Sequence, residues 1–380
     1  MLLYFQDPSK LKTKRVVYEE TYYARDSGTL EQLKELTSKR KSIEESLNGS
    51  SHITPAIARE MAGGVTSPIL QDLQKLERYI PLLENLVMHV SSQRENMQIV
   101  QWTIDLKLRW TSPLSGFSGF NLGGSKYFRI DDLRYELAMV LFLYGALMRE
   151  RALEVMTVDL VESATLFRRA AGVYQHMAQQ LLPGLQPSLP PDRPPEVTTS
   201  MATIMSLICL AEAQAVTVQK AEEKSTSGGL LAKLHFGVTQ IVEEASSLLR
   251  ASYGDWNDVS DRLKRFLNTT SGLHEARSWR YVAEDFKKSE HLGVAVGILR
   301  HALNKVQQLR APSEDNMKLV FRQEVDALSG MLRKCEYEND FIWREKPPRL
   351  DELPVLEGRK IVAPILYQPF GLDREFIFVT

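Results

Sequence analysis

Cysteine is nearly missing: among 380 residues only Cys209 and Cys335 carry thiols. Neither has metal-ligand spacing or an obvious partner, which excludes a disulfide framework and a thiolate zinc site and leads us to expect a reducing compartment. An excess of either charge is missing too. Lys and Arg number 47 against 48 Asp and Glu, for a formal net charge of -1. That balance argues against a chain whose main work is gripping phosphate backbones, which usually shows a basic patch or a pI above about 9. Short basic clusters do occur at Lys10 to Arg15 and at Lys39-Arg40-Lys41. They read as solvated faces, with weak attraction to an anionic membrane as the alternative. No apolar run of about 20 residues is evident, so no bilayer span is expected. The opening Met1-Leu-Leu-Tyr-Phe-Gln-Asp7 lacks the basic and apolar parts of a secretory signal. A cytoplasmic protein is expected.

Catalytic signatures are equally scarce. The seven histidines are scattered, with no His-Glu-x-x-His zinc arrangement, and there is no Gly-x-Ser-x-Gly nucleophile turn. The glycine-rich stretch ending Gly123-Gly124-Ser125-Lys126 has Ser before Lys, the wrong order for a phosphate-cradling loop. No metal and no cofactor are implied, and the expectation is a protein that is not an enzyme. A pocket with converging carboxylates or histidines would favour an enzyme instead.

What is present is helical periodicity. With 43% hydrophobic and 25% charged residues, the chain can bury a large core. Two short β-prone pieces, Val16-Val17-Tyr18 and Thr21-Tyr22-Tyr23, come first. Helical patterns follow over 29–47 and 68–90, with a further start at Thr54-Pro55. Trp102, Ile104, Leu106, Leu108 and Trp110 alternate with polar residues, which predicts a half-buried strand. Asp131-Asp132 opens the next helix. The seam Leu160, Ala164, Phe167, Ala171, Tyr174, Ala178 and Leu181 marks another, predicted to stop at Pro183. Helices are then read over 198–223, 229–252, 258–268, 274–309 and 314–337. Five prolines among apolar residues over 347–369 predict an extended strap lying on the helices. The apolar, Ala-rich segment 206–221 and the helix after its Ser/Gly break suggest a helix-lined groove suited to a peptide.

Five segments in order resemble the Bro-one domain of ALIX-type endosomal-targeting proteins. They are Leu106 to Trp110 with Gly123-Gly124-Ser125; Arg134-Tyr-Glu-Leu-Ala-Met-Val-Leu-Phe142; Phe167-Arg-Arg-Ala-Ala-Gly-Val-Tyr174; Leu210-Ala-Glu-Ala-Gln-Ala-Val-Thr-Val-Gln-Lys-Ala221; and Glu338-Asn-Asp-Phe-Ile-Trp343. Ala-Glu-Ala-Gln followed by Val-Thr is most similar to the single-domain BROX-type branch. The resemblance implies a mainly α fold: a curved, solenoid-like helical body with a tetratricopeptide-like core, a small N-terminal β element and a Pro-rich C-terminal strap. It places one domain over 1–370 and a short tail over 371–380.

It also implies a non-enzymatic adaptor in endosomal and multivesicular-body sorting, a monomer without nucleic-acid affinity that meets endosomal membranes only peripherally. The implied partner is the C-terminal amphipathic helix of an ESCRT-III (Snf-seven-type) subunit. A scaffold of the same fold serving another peptide or a cytoskeletal partner is the alternative. The carried-over groove residues are Thr217, Lys220, Leu230 and Leu234. The two leucines stand i, i+4 on one helix side and are expected on an open surface, core positions being the competing reading. Two departures stand out: Thr217 replaces an aromatic of the multi-domain members, and Trp343 replaces a tyrosine, which removes any phosphotyrosine regulation there. No prenylation cysteine ends the chain, so direct lipid anchoring is not expected.

Overall fold

The computed structural model describes residues 3, 5–49, 67–116, 126–252, 254–256, 258–309, 315–372 and 374–379. The expected helix start at Thr54-Pro55 and the 119–125 part of the glycine-rich loop lie outside them. Helices α1 (Ser27–Gly49), α2 (Pro68–Ser92) and α3 (Met97–Asp105) come first. Then follow α4 (Leu133–Val155), α5 (Leu160–His176), a short α6 (Leu182–Leu185) and α7 (Thr199–Glu223). The series ends with α8 (Gly228–Ala251), α9 (Asp261–Lys288), α10 (Leu292–Gln308) and α11 (Asp315–Glu338).

Helix starts follow the sequence signals. Ser67 caps Ile69 and Leu70 with Pro68 in the first turn, and Asp132 caps Arg134. Asp159 caps Val161 and Glu162, and Thr198 caps Met201. Each cap satisfies an orphan backbone donor and is worth about 1 kcal/mol. From α4 onward, α5, α7, α8, α9, α10 and α11 pack each on the next (α6 aside), the solenoid-like order expected. Helix α4 is buried almost all round, the mark of a core helix. Helix α7 is long and apolar enough to cross a membrane by composition, contrary to expectation. Its neighbours are protein, α5 on one side and α8 on the other.

Of the strand predicted over 102–110, Trp102 to Asp105 are helix. Asn96 caps Gln98 and Ile99, and Ile99, Trp102 and Leu106 sit at helical spacing in the core. The period-two alternation was coincident with that helical set. The chain leaves the helix through Lys107 at φ +51°, and only β1 (Arg109–Thr111) is strand. It pairs antiparallel with β2 (Tyr127–Arg129), Trp110 opposite Phe128, while Thr13 bridges Trp110 from the other side. The pieces around Tyr18 and Tyr22 form no strand. Both rings are buried with their hydroxyls on Tyr79 (2.6 Å) and Thr103 (2.9 Å).

Two further boundaries moved. Pro183 does not end its helix: a π turn at Met177–Leu181 precedes it, and it falls in the first turn of α6, where its missing N–H costs nothing. The break foreseen near residue 270 lies instead at Ser289 to His291, with Glu290 at φ +64°. Gly272 serves close packing, since a Cβ there would stand 2.3 Å from the Leu309 side chain. Arg40, read as part of a solvated basic face, is fully buried. Its guanidinium meets Glu136, whose other oxygen accepts from the Trp110 indole at 2.6 Å.

Beyond α11 a π turn (Asn339–Trp343) ends at Arg344, φ +53°, and the described residues that follow form no helix apart from one 3-10 turn at Leu350–Glu352. The strap crosses the helices in reverse. It passes α10 at Gly293 (Gly293 N to Glu345 Oε2, 2.7 Å), then α8 (Arg359 N to Lys233 O, 2.9 Å), then α5 (Ile365 N to Arg168 O, 3.0 Å). It reaches α2 through Tyr367 on Glu84 (2.8 Å). The expected tail at 371–380 is no tail. Phe376 and Phe378 are buried, Ile377 N donates to Thr29, and Phe378 bridges Ala24. Alternating apolar residues there pack a surface left open between α1, α2 and α3.

Candidate functional site

The strap's crossing of α5 and α7 leaves a groove of about 360 Å³. One wall is α5, with Leu160, Val161, Ala164, Thr165 and Arg168; the facing wall is α7, with Thr217 and Lys220; Ile361, Val362 and Ala363 of the strap close one side. Small residues at Ala164 and Ala213 keep α5 and α7 close, with Ala213 and Val216 buried in the core cluster behind the groove. Val161 is 63% exposed and Ile361 46%, so apolar surface faces outward here without cover. The Thr217 hydroxyl donates to Ala213 O at 2.8 Å, so this residue brings no unsatisfied polar group into the wall. Lys220 and Arg168 add positive charge at the rim. Lys220 is loosely paired with Glu223 (3.5 Å), and Arg168 donates to Ala363 O (2.7 Å).

Of the four carried-over residues the structure brings Thr217 and Lys220 together in this groove. Leu230 and Leu234 stand apart from it. Leu234 is 5% exposed and, with Leu231, packs on Val218, while half-buried Leu230 joins the edge of that cluster beside Ala221 and Tyr281. The expectation of two open leucines is corrected for Leu234: the i, i+4 side that carries it faces α7. The residues missed in the sequence are those of α5 and the strap. Leu160 and Ala164 were legible only as seam residues, and nothing in the local pattern showed that Ile361 would lie opposite Val161.

A second cavity, about 180 Å³, lies among α7, α8, α9 and α11 and gathers histidines and carboxylates. His235 and His274 approach at 3.1 Å between Nδ1 atoms, and His235 Nε2 lies 3.2 Å from Glu222. The Glu222 carboxylate accepts a hydrogen bond from His235 Nε2–H, so His235 Nδ1 accepts and His274 Nδ1–H donates. Tyr281 donates to Glu222 at 2.7 Å, and Arg277 and Arg280 both hold Glu324 at 3.0 Å. Each carboxylate is thereby engaged, and the lining offers no nucleophile. Among the described residues no group of three or more His, Cys, Asp or Glu is placed to hold a metal.

Burial, with Arg277 nearby, pushes His235 and His274 below the usual histidine range. Burial would raise Glu222, but hydrogen bonds from His235 and Tyr281 prevail and hold it at about 2. Both imidazoles stay neutral in the fold against Arg277 and Arg280 of α9, Glu324 of α11 and Glu222 of α7. The unfolded chain therefore binds more protons below about pH 6.5, and the pair costs stability as pH falls through that value. Glu196 works the other way. Burial raises it to about 7 despite hydrogen bonds from Ser112 and Leu114, so it favours the fold increasingly as pH falls towards about 4.5. The difference between wild type and His274→Gln isolates the imidazoles. Urea unfolding midpoints at steps from about pH 7 to about pH 5 are expected to fall less in the variant; parallel curves would count against the neutral pair.

A profile of the BRO1-like domain matches residues 19–375. The chain belongs to the BRO1-like domain family. Among curated relatives, the BRO1 domain-containing protein BROX of Homo sapiens is 23% identical over 319 residues, 77% of this chain and 72% of its own. The solved "ALIX BRO1 CHMP4C complex" matches with a TM-score of 0.67 at 18% identity, over 96% of both chains. A second, "Structure basis for endosomal targeting by the Bro1 domain", matches with a TM-score of 0.64 at 14% identity, over 96% of this chain and 94% of that one. The expected family and its mainly helical architecture are borne out.

In this BRO1-like chain the Ala-Glu-Ala-Gln landmark holds the body together. Glu212 is buried and receives Arg149 in a two-pronged pair, Nε to Oε2 at 2.6 Å. Gln214, fully buried, reaches the strap. Trp343 is partly exposed at the start of the strap. Cys209 and Cys335 are both buried and free, and burial raises the Cys209 thiol out of reach of ionisation.

Proposed function

We propose that this protein is a non-enzymatic adaptor whose α5–α7–strap groove receives the C-terminal amphipathic helix of an ESCRT-III (Snf-seven-type) subunit. The observation that carries the reading is the groove itself: uncovered apolar walls, Val161 and Ile361 outward, under a rim holding Lys220 and Arg168. An amphipathic helix lays its apolar side into such a trough, and acidic residues on its flank meet the cations. The fold shared with a solved ALIX BRO1 chain bound to CHMP4C supports this choice of partner. The likeness to a Bro1 domain solved for its endosomal targeting supports recruitment to endosomes, and a cytoplasmic monomer acting in multivesicular-body sorting completes the proposal. A single domain carries the function, and recruitment to the membrane comes through the partner.

Val161→Asp and Thr217→Asp place a carboxylate on opposite walls at positions the core does not need. Each is expected to weaken binding of an ESCRT-III tail peptide by about tenfold, or about 1.4 kcal/mol, with the melting temperature unchanged. Fluorescence polarisation with labelled tail peptides reads the affinity. Wild-type affinity in both variants would remove this groove. A chain that ignores every ESCRT-III tail yet binds another amphipathic peptide there would instead be a scaffold of the same fold.

A further inference from the structure

The last turn of α11 and the π turn after it hold large apolar side chains out in solvent. Tyr337, Phe341 and Ile342 are 66%, 67% and 69% exposed, and Trp343 next to them is 38% exposed. The Tyr337 and Phe341 rings stand one helical turn apart with centroids at 4.6 Å, so they make one patch. Single exposed apolar residues need no explanation, but a cluster of them marks a contact surface. The backbone is fixed in the shape that displays it. Asn339 is buried at the root of the turn, where its side chain donates to Glu345 O (2.9 Å) and accepts from Glu345 N (3.1 Å). Arg344 N donates to Asn339 O (2.6 Å), and Arg344 itself lies in the left-handed region, which a residue with a Cβ enters only at a cost.

Charge completes the pattern. Three of the four carboxylates in this segment are taken: Glu336 by Arg300 (2.7 Å), Glu338 by Lys287 (2.8 Å) and Glu345 by Gly293 N (2.7 Å). Asp340 alone stays free. Against it stand Lys334, Arg344 and Lys346, exposed cations whose side chains meet no partner among the described residues. Lys334 precedes Tyr337 by three residues and shares its side of α11. We propose that this aromatic knob is a lipid contact of the chain's own, made for a bilayer surface that contains anionic lipid. The side chains stand outward instead of lining a trough, which suits a deformable apolar medium rather than a guest peptide. Tyr337 and Trp343 have the amphipathic rings that collect at headgroup level, Phe341 and Ile342 reach below it, and the free cations meet the negative headgroups. The inference goes beyond the adaptor reading and does not rest on it: the partner brings the chain to a membrane, and the knob holds it against the lipid.

The experiment mixes the full chain, without any peptide, with sedimentable vesicles of phosphatidylcholine and phosphatidylserine, and with vesicles of phosphatidylcholine alone. Binding is expected on the first and about tenfold weaker on the second. Phe341→Asp and Ile342→Asp are each expected to weaken binding to the anionic vesicles about tenfold, with melting temperatures unchanged because both positions are exposed. Lys334→Glu combined with Arg344→Glu is expected to do the same. Trp343 is the most exposed of the five tryptophans, so lipids brominated in their acyl chains are expected to quench its fluorescence, and Trp343→Phe to abolish that quenching. A wild-type chain that ignores the anionic vesicles, leaving the knob to seat in another protein, overturns the proposal. So does vesicle binding that both aspartate variants retain, or binding without any quenching of Trp343. Equal affinity for the two kinds of vesicle overturns the part given to the cations.

Discussion

Glu212→Ala is expected to lose about 3–5 kcal/mol of folding stability, against a total of about 5–15 kcal/mol for a typical domain. The substitution leaves Arg149, fully buried, without its carboxylate. Its remaining partners are the carbonyl of Phe5 and, at the longer distance of 3.9 Å, the Glu150 carboxylate, with the Phe5 and Phe266 rings alongside. A carbonyl dipole cannot replace the charge. Most of the loss is the cost of a buried cation left without its two-pronged partner rather than the net worth of the pair, so Arg149→Met combined with Glu212→Leu is expected to recover much of it. Chemical denaturation of the single and double variants measures this. A double variant no more stable than Glu212→Ala would show that the pair itself holds α4 to α7.

Leu234→Asp is expected to cost about 4 kcal/mol or more, by loss of a packed leucine and burial of a carboxylate with no cation to meet it. Leu234 packs on Val218 and Leu231 at the α7–α8 contact. An aspartate at Val161, on the open surface, is expected to change stability by less than about 0.5 kcal/mol. Thermal melts of the two aspartate variants, run side by side, separate interior from docking surface. A stable Leu234→Asp chain with lost peptide affinity would return Leu234 to the groove.

The helices were legible because their apolar spacing and caps agreed. Ser67, Asp132 and Thr198 stand where the patterns begin, and tertiary packing contradicted none of them. Where two periods overlapped, as around Trp102, the cap at Asn96 decided for helix, and a cap six residues upstream is easily overlooked. The break read between 268 and 274 contains Gly272, and a glycine needed for close packing looks the same in a sequence as one needed for a turn. Of the site, Thr217 and Lys220 were reachable through resemblance. Leu234 was misplaced because the side of α8 that looks amphipathic meets α7, not solvent. Ile361 was out of reach, since the contacts that hold it opposite Val161 include Gln214, nearly 150 residues away in the chain, and no local pattern encodes that hydrogen bond.

A stack of helix pairs with free ends normally frays from either terminus, each unit answering only to its neighbours. Here Phe376 and Phe378 buckle the end of the last segment beside Tyr22 and Trp102, at the opposite extremity from α11. The polypeptide is belted into a circuit, so that loosening one extremity tugs on the other. A single nick between residues 353 and 358 would open the belt and give the stack back its loose ends.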